Sequence, residues 1–237
     1  MKDIIKYFKL LKYGLQIKAM VILAVIFFGL GIVYELVNFN GEGLIPFSGL
    51  YLAISGMYIY QVVITASVSC LVQTSSVKKN LQCSAPVLFT TVCILFTYTV
   101  FVILRLNFAK NRALAADPAA DTTVFYLHLL STAALIALIL LYFAFSYRYY
   151  VISTVALCFV LVPTLVLFMR MDWSFTVAVK DFVSIIIDRF GHGAVIGISY
   201  ILILAGAGLC YLANLAMYRK PLSHIAYRAA LRQAQGK

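Results

Sequence analysis

Apolar residues along this chain come in long unbroken runs rather than in the alternation of a strand or the one-sided stripe of a soluble helix. The runs cover approximately Ala19–Val37, Phe47–Val72, Val87–Leu106, Val124–Phe145, Val151–Met169 and Ala194–Met217. Each is long enough to cross a hydrocarbon core of roughly 30 Å as a helix, which takes about 20 residues. Backbone in lipid must satisfy its own hydrogen bonds, so the runs predict closed helices. A transmembrane barrel would instead show alternating segments of about ten residues. The predicted fold class is therefore an all-α integral membrane protein with six transmembrane helices.

Between the runs, three segments have polar patterns of their own. Ahead of the first, Ile4, Phe8, Leu11 and Leu15 recur at helical spacing opposite Lys2, Lys6, Lys9 and Gln16, which predicts a helix lying in the membrane interface. Between the second and third, Ser75 and Ser76 offer caps and Pro86 opens the next helix, so a short helix of its own is expected there. Between the fifth and sixth, Val179, Phe182, Val183, Ile186 and Phe190 share one face, with Lys180, Asp181, Ser184 and Asp188 on the other. That segment is too polar to span and too amphipathic for plain loop.

Composition agrees with lipid as the solvent. Of 237 residues, 64% are hydrophobic and only 11% charged, too few charges for a water-facing surface. No separate soluble domain fits between the runs. The first run lacks the small-residue cleavage pattern of a secretory signal and is read as retained.

The charges also set an orientation. Thirteen Lys and Arg share one side of the six predicted spans with the single acid Asp3; six share the other with seven acids, giving +12 and −1 within the net +11. The positive side is expected in the cytoplasm, with both termini. Basic residues spread in this way mark topology and contact anionic membrane lipid, and they form no concentrated stripe for nucleic acid.

Candidate chemistry is sparse. The sequence has no HExxH, no paired Asp within a run and no G-x-x-x-x-G-K-[ST], so neither a metalloprotease nor an ATPase signature is present. His128, His192 and His224 fall in separate segments, without a companion at metal-ligand spacing. The five cysteines, Cys70, Cys83, Cys93, Cys158 and Cys210, are scattered and read as free buried thiols. Ser55-Gly56 faintly resembles an intramembrane serine protease pairing a serine with a histidine such as His128, although Ser-Gly in a membrane helix more often marks close packing. Glu35 and Arg105, near the outer ends of the first and third runs, could pair across helices, line a translocation path or snorkel to headgroups. Gly193-x-x-x-Gly197 and Ala205-Gly206-Ala207-Gly208 predict close helix contact, within the chain before a dimer seam.

The order of parts resembles the membrane subunit of ABC-2 type transporters. Lys2–Lys18 stands where that family has an elbow helix (residues 1–18), residues 19–217 would be the six-helix membrane domain, and 218–237 a basic cytoplasmic tail. Met171–Gly193 stands at the family's outer helical or re-entrant element. Ser75–Ser84 stands where that family has its coupling helix, and Leu71–Gln82 resembles the family's coupling stretch, placing Ser76, Val77, Lys78, Lys79, Asn80, Leu81 and Gln82 against an ATPase. The resemblance implies a single-domain bacterial permease in the plasma membrane, paired with a second copy and a separate ATP-binding subunit that holds the ATP and Mg. This chain itself would have no catalytic residue, metal or cofactor. The cargo implied is small and amphipathic or hydrophobic, such as a peptide. The competing expectations are a membrane-embedded enzyme and a non-transporting immunity or scaffold protein.

Overall fold

A computed structural model describes residues 17–37, 46–68, 79–114, 122–146, 148–149, 151–159, 174–220, 223, 224 and 228. All regular structure among them is helical. The long helices are α1 (Ile17–Leu36), α2 (Phe47–Val68), α3 (Ala85–Leu114), α4 (Thr122–Ser146), α5 (Ser174–Phe190) and α6 (His192–Met217), and a π-helical turn, Asn80–Ser84, leads into α3. Residues 151–159 are also helical.

Four helical stretches, Ile17–Leu36, Gln82–Asn107, Thr123–Ser146 and His192–Met217, are long and apolar enough to cross a membrane, and Phe47–Val63 is a shorter apolar helix. Their outward faces carry Ile22, Val25 and Val33 on α1, Val92 and Phe96 on α3, and Ile201 and Leu212 on α6. Water would demand polar residues there; hydrocarbon does not.

Within the bundle the most extensive pairings are α4 with α6 and α1 with α2. Small residues make them close. Gly31 of α1 lies against Leu52 and the Ser48 carbonyl of α2, Gly56 of α2 against Ile94 of α3, and Gly206 of α6 against Ala137 of α4. Ser55 Oγ donates 2.9 Å to the Ala24 carbonyl, so Ser55-Gly56 is a packing notch joining α2 to both α1 and α3. Tyr60, fully buried, lies with its ring tilted 30° and 5.0 Å from that of Phe143 of α4, and accepts 3.3 Å from Asn214 Nδ2 of α6. Tyr98 of α3 donates 3.0 Å to the Leu129 carbonyl of α4.

Two expectations change. Gly193 and Gly197 have nothing within 4 Å of where a Cβ would stand, and neither has Gly208. The GxxxG therefore faces out of the chain, while the inward stripe of α6 is Val195, Ser199, Ile203, Gly206, Ala207 and Cys210. In α5 the predicted apolar face is split: Val183 and Ile186 are buried, while Phe182 and Phe190 are exposed. The helix packs on α4 and α6, Val179 and Ile187 also lie against the core, and Val177 and Ile185 turn outward with Phe182 and Phe190.

Of the predicted elbow, residues 1–16 lie outside the described residues, and Ile17 and Lys18 already belong to α1. The predicted fifth span is described only over 151–159, the tail only at 218–220, 223, 224 and 228, and the outer element from Ser174 onward.

Candidate functional sites

Two polar constellations stand out of the apolar bundle, one toward each end. The first joins four helices. Arg105 Nε of α3 meets Glu35 Oε1 of α1 at 2.9 Å, with side-chain exposures of 4% and 2%. The second carboxylate oxygen, Oε2, accepts 2.7 Å from Ser48 Oγ of α2. The guanidinium lies over Phe101 of α3 at 5.5 Å and Phe125 of α4 at 5.7 Å.

Snorkelling to headgroups is one of the three readings that the sequence leaves open for these two charges. Burial overturns that reading: neither side chain reaches the surface, and each is the other's counter-charge. An ion removed from water is tolerated when its partner and further hydrogen bonds compensate the lost hydration. Ser48 and the ring faces of Phe101 and Phe125 supply part of that compensation. What the site does chemically is to clamp α1 and α2 to α3 and α4.

Toward the other end of the bundle lies the segment predicted to couple. Ser76, Val77 and Lys78 lie outside the described residues; Lys79 is helical and exposed, and Asn80–Ser84 is the π-turn. Its cause is readable in the sequence. Pro86 has no N–H to give the Gln82 carbonyl, and its ring would press on that carbonyl in a regular helix. Widening by one residue relieves both, and the Ala85 N–H bonds the Asn80 carbonyl instead. Over its described part, Lys79–Ser84, the expected separate helix runs without a break into α3.

Gln82 and Cys83 of this turn are buried. Cys83 Sγ donates 3.5 Å to the Asn214 carbonyl of α6. Arg148, just after α4, donates from Nη2 to Gln82 Oε1 at 3.3 Å and to the Tyr218 carbonyl at 3.2 Å, and from Nη1 to the Lys220 carbonyl. One guanidinium fork therefore ties the turn, the end of α4 and the end of α6. Burial draws the pKa of Arg148 down from the ordinary guanidinium range, with the neighbouring Cys83 acting in the opposite sense. Sequence reasoning had counted Arg148 only as a topology charge. The signal that could have found it is its place between two apolar runs, where a fixed basic residue meets helix C-terminal carbonyls.

Ser55 spends its proton on a backbone carbonyl, and His128 is buried in α4. Replacing Ser55 with Ala is expected to lower stability by about 1 kcal/mol through the lost hydrogen bond, read as a small fall in Tm, and to leave any transport activity intact. No group of three His, Cys, Asp or Glu gathers at metal-binding distance among the described residues.

No family model, curated protein or solved structure matches this chain.

Proposed function

We propose that the chain is the permease subunit of an ABC exporter, crossing a bacterial plasma membrane six times with both ends in the cytoplasm. Two copies work with a separate ATP-binding subunit, which holds ATP and Mg, to move a small amphipathic or hydrophobic cargo, a peptide among them, outward. The observation that carries this reading is the Asn80–Ser84 turn: a polar segment between apolar helices, rigid with α3 and tied by Arg148 to α4 and α6. A push on Lys79 and Asn80 would move three helices together rather than flex a loop. The outward-facing Gly193 and Gly197 suit a seam with a second copy, since small residues drive helix contact in lipid.

The test is to co-express the chain with the ATP-binding protein encoded beside its gene and purify through a tag on one. Copurification is expected, and reversing both Lys78 and Lys79 to Glu is expected to reduce it at least about tenfold, equivalent to about 1.4 kcal/mol. ATPase activity that ignores substitutions across Ser76–Gln82, or two proteins that never copurify, would leave a scaffold or immunity role in place of transport.

A further inference from the structure

Beside the Arg148 clamp the surface opens into a groove of about 510 Å³. Its walls are Leu141 and Phe145 of α4 and Ile152, Ala156 and Leu157 of the helical stretch 151–159, with Tyr149 at the mouth. The volume lies within the ~300–1,000 Å³ range of small-ligand sites. The polar atoms nearby are already engaged: Ser153 Oγ donates 2.8 Å to the Tyr149 carbonyl, and Tyr142 OH lies 3.4 Å from Thr154 Oγ1. The walls therefore ask for hydrocarbon. Ile152, 69% exposed, leaves the groove open along its length.

The mouth has the opposite character. Lys220 Nζ donates 2.8 Å to Tyr149 OH and sits 5.3 Å above its ring. That bond uses one of three ammonium donors. Arg219, also exposed, donates only from Nε, to Tyr218 OH at 2.8 Å. Arg148 holds the Tyr218 and Lys220 carbonyls, so it fixes the two cations in place while adding its own charge. All acceptors here are neutral. Among the described residues the carboxylates are Glu35, which pairs with Arg105, and Asp181 and Asp188 of α5. Asp188 lies four residues before α6 begins, and α6, at 26 residues, is about 39 Å long. Three positive charges thus meet no described negative one.

We propose that this groove binds one anionic phospholipid, an acyl chain along Phe145, Ile152 and Leu157 and the phosphate on Lys220 and Arg219. A phosphodiester supplies the missing negative charge, the chain supplies the hydrocarbon, and Tyr149 bridges the two at headgroup level as aromatic residues do. Arg148 is a positioning residue. The proposal rests on membrane residence and on neither the ATPase partner nor the cargo, so it stands or falls apart from the exporter reading.

The test uses the full chain purified in detergent and native mass spectrometry with three probes: palmitoyl-oleoyl phosphatidylglycerol, phosphatidylcholine with the same chains, and inorganic phosphate. One phosphatidylglycerol is expected to be retained at least about tenfold better than phosphatidylcholine, with no retained phosphate. Replacing Arg219 and Lys220 together with Gln should remove that preference, Lys220→Arg should keep it, and Ala156→Trp, which fills the groove, should weaken both lipids. Circular dichroism confirms that each variant remains helical. Equal retention of the two lipids, retention of phosphate as strong as that of phosphatidylglycerol, or wild-type binding by the folded Gln and Trp variants would overturn the proposal.

Discussion

Arg105→Ala is expected to destabilise the bundle by about 3–5 kcal/mol, because it removes the counter-charge that the guanidinium gives the buried Glu35 carboxylate. Glu35→Gln should also destabilise, since it strands a buried guanidinium that cannot shed its charge, although the amide oxygen still accepts from Ser48 Oγ. Breaking one half of a buried pair is worse than removing both, whose gross attraction and desolvation nearly cancel. The double replacement of Glu35 and Arg105 by Met is therefore expected to recover most of the loss seen in Arg105→Ala, with the Met side chains filling the space between Phe101 and Phe125. Thermal unfolding of the detergent-purified proteins measures all three. The double variant also separates two roles. Under the proposed exporter role, a pair that only clasps helices leaves the folded double variant as active as the wild type, whereas a pair that lines the path leaves folded protein inactive. A Tm for Arg105→Ala equal to that of the wild type would mean that Glu35 and Arg105 do not pair in the membrane.

The contrast between this pair and its prediction shows what a linear pattern carries. Apolar runs placed α1, α2, α3, α4 and α6 because segment length against bilayer thickness is a one-dimensional constraint. The amphipathic segment before α6 and the boundary at Pro86 were likewise legible, each depending on neighbours within a few residues. Whether Glu35 reaches headgroups or Arg105 depends on how α1 is rotated against α3, and nothing in either run fixes that rotation. Gly193-x-x-x-Gly197 misled for the same reason: the motif reports a flat surface on α6 without saying which side meets α4. Arg148 lay hidden because its partners are an amide of the π-turn and two carbonyls beyond the end of α6, a pattern invisible to charge counting.

Along α6, one and the same substitution should have opposite effects at two positions. At Gly206 an added Cβ would stand 2.7 Å from Ala137 Cβ and 2.8 Å from Ala137 Cα. The second of these is backbone, so no rotamer change can clear it, and α4 and α6 must separate along their extensive seam. Overpacking of this kind costs about 1–3 kcal/mol for a methyl group, and Gly206→Leu should yield little folded protein. At Gly197 the new methyl meets open space, and a helix gains up to about 1 kcal/mol when Gly becomes Ala. Gly197→Ala is thus expected to hold or raise Tm while Gly206→Ala lowers it. The comparison cancels the shared propensity gain, so the difference between the two reports packing alone. Extending Gly197 to Leu then isolates the seam between copies: the single chain has room for it, and a second copy pressed on Gly193 and Gly197 has none. A folded Gly197→Leu protein that runs as a monomer, beside a dimeric wild type in the same detergent, would place the homodimer contact on that face of α6. Unchanged dimers would put the contact elsewhere, with Gly206 still the residue that holds α6 to α4.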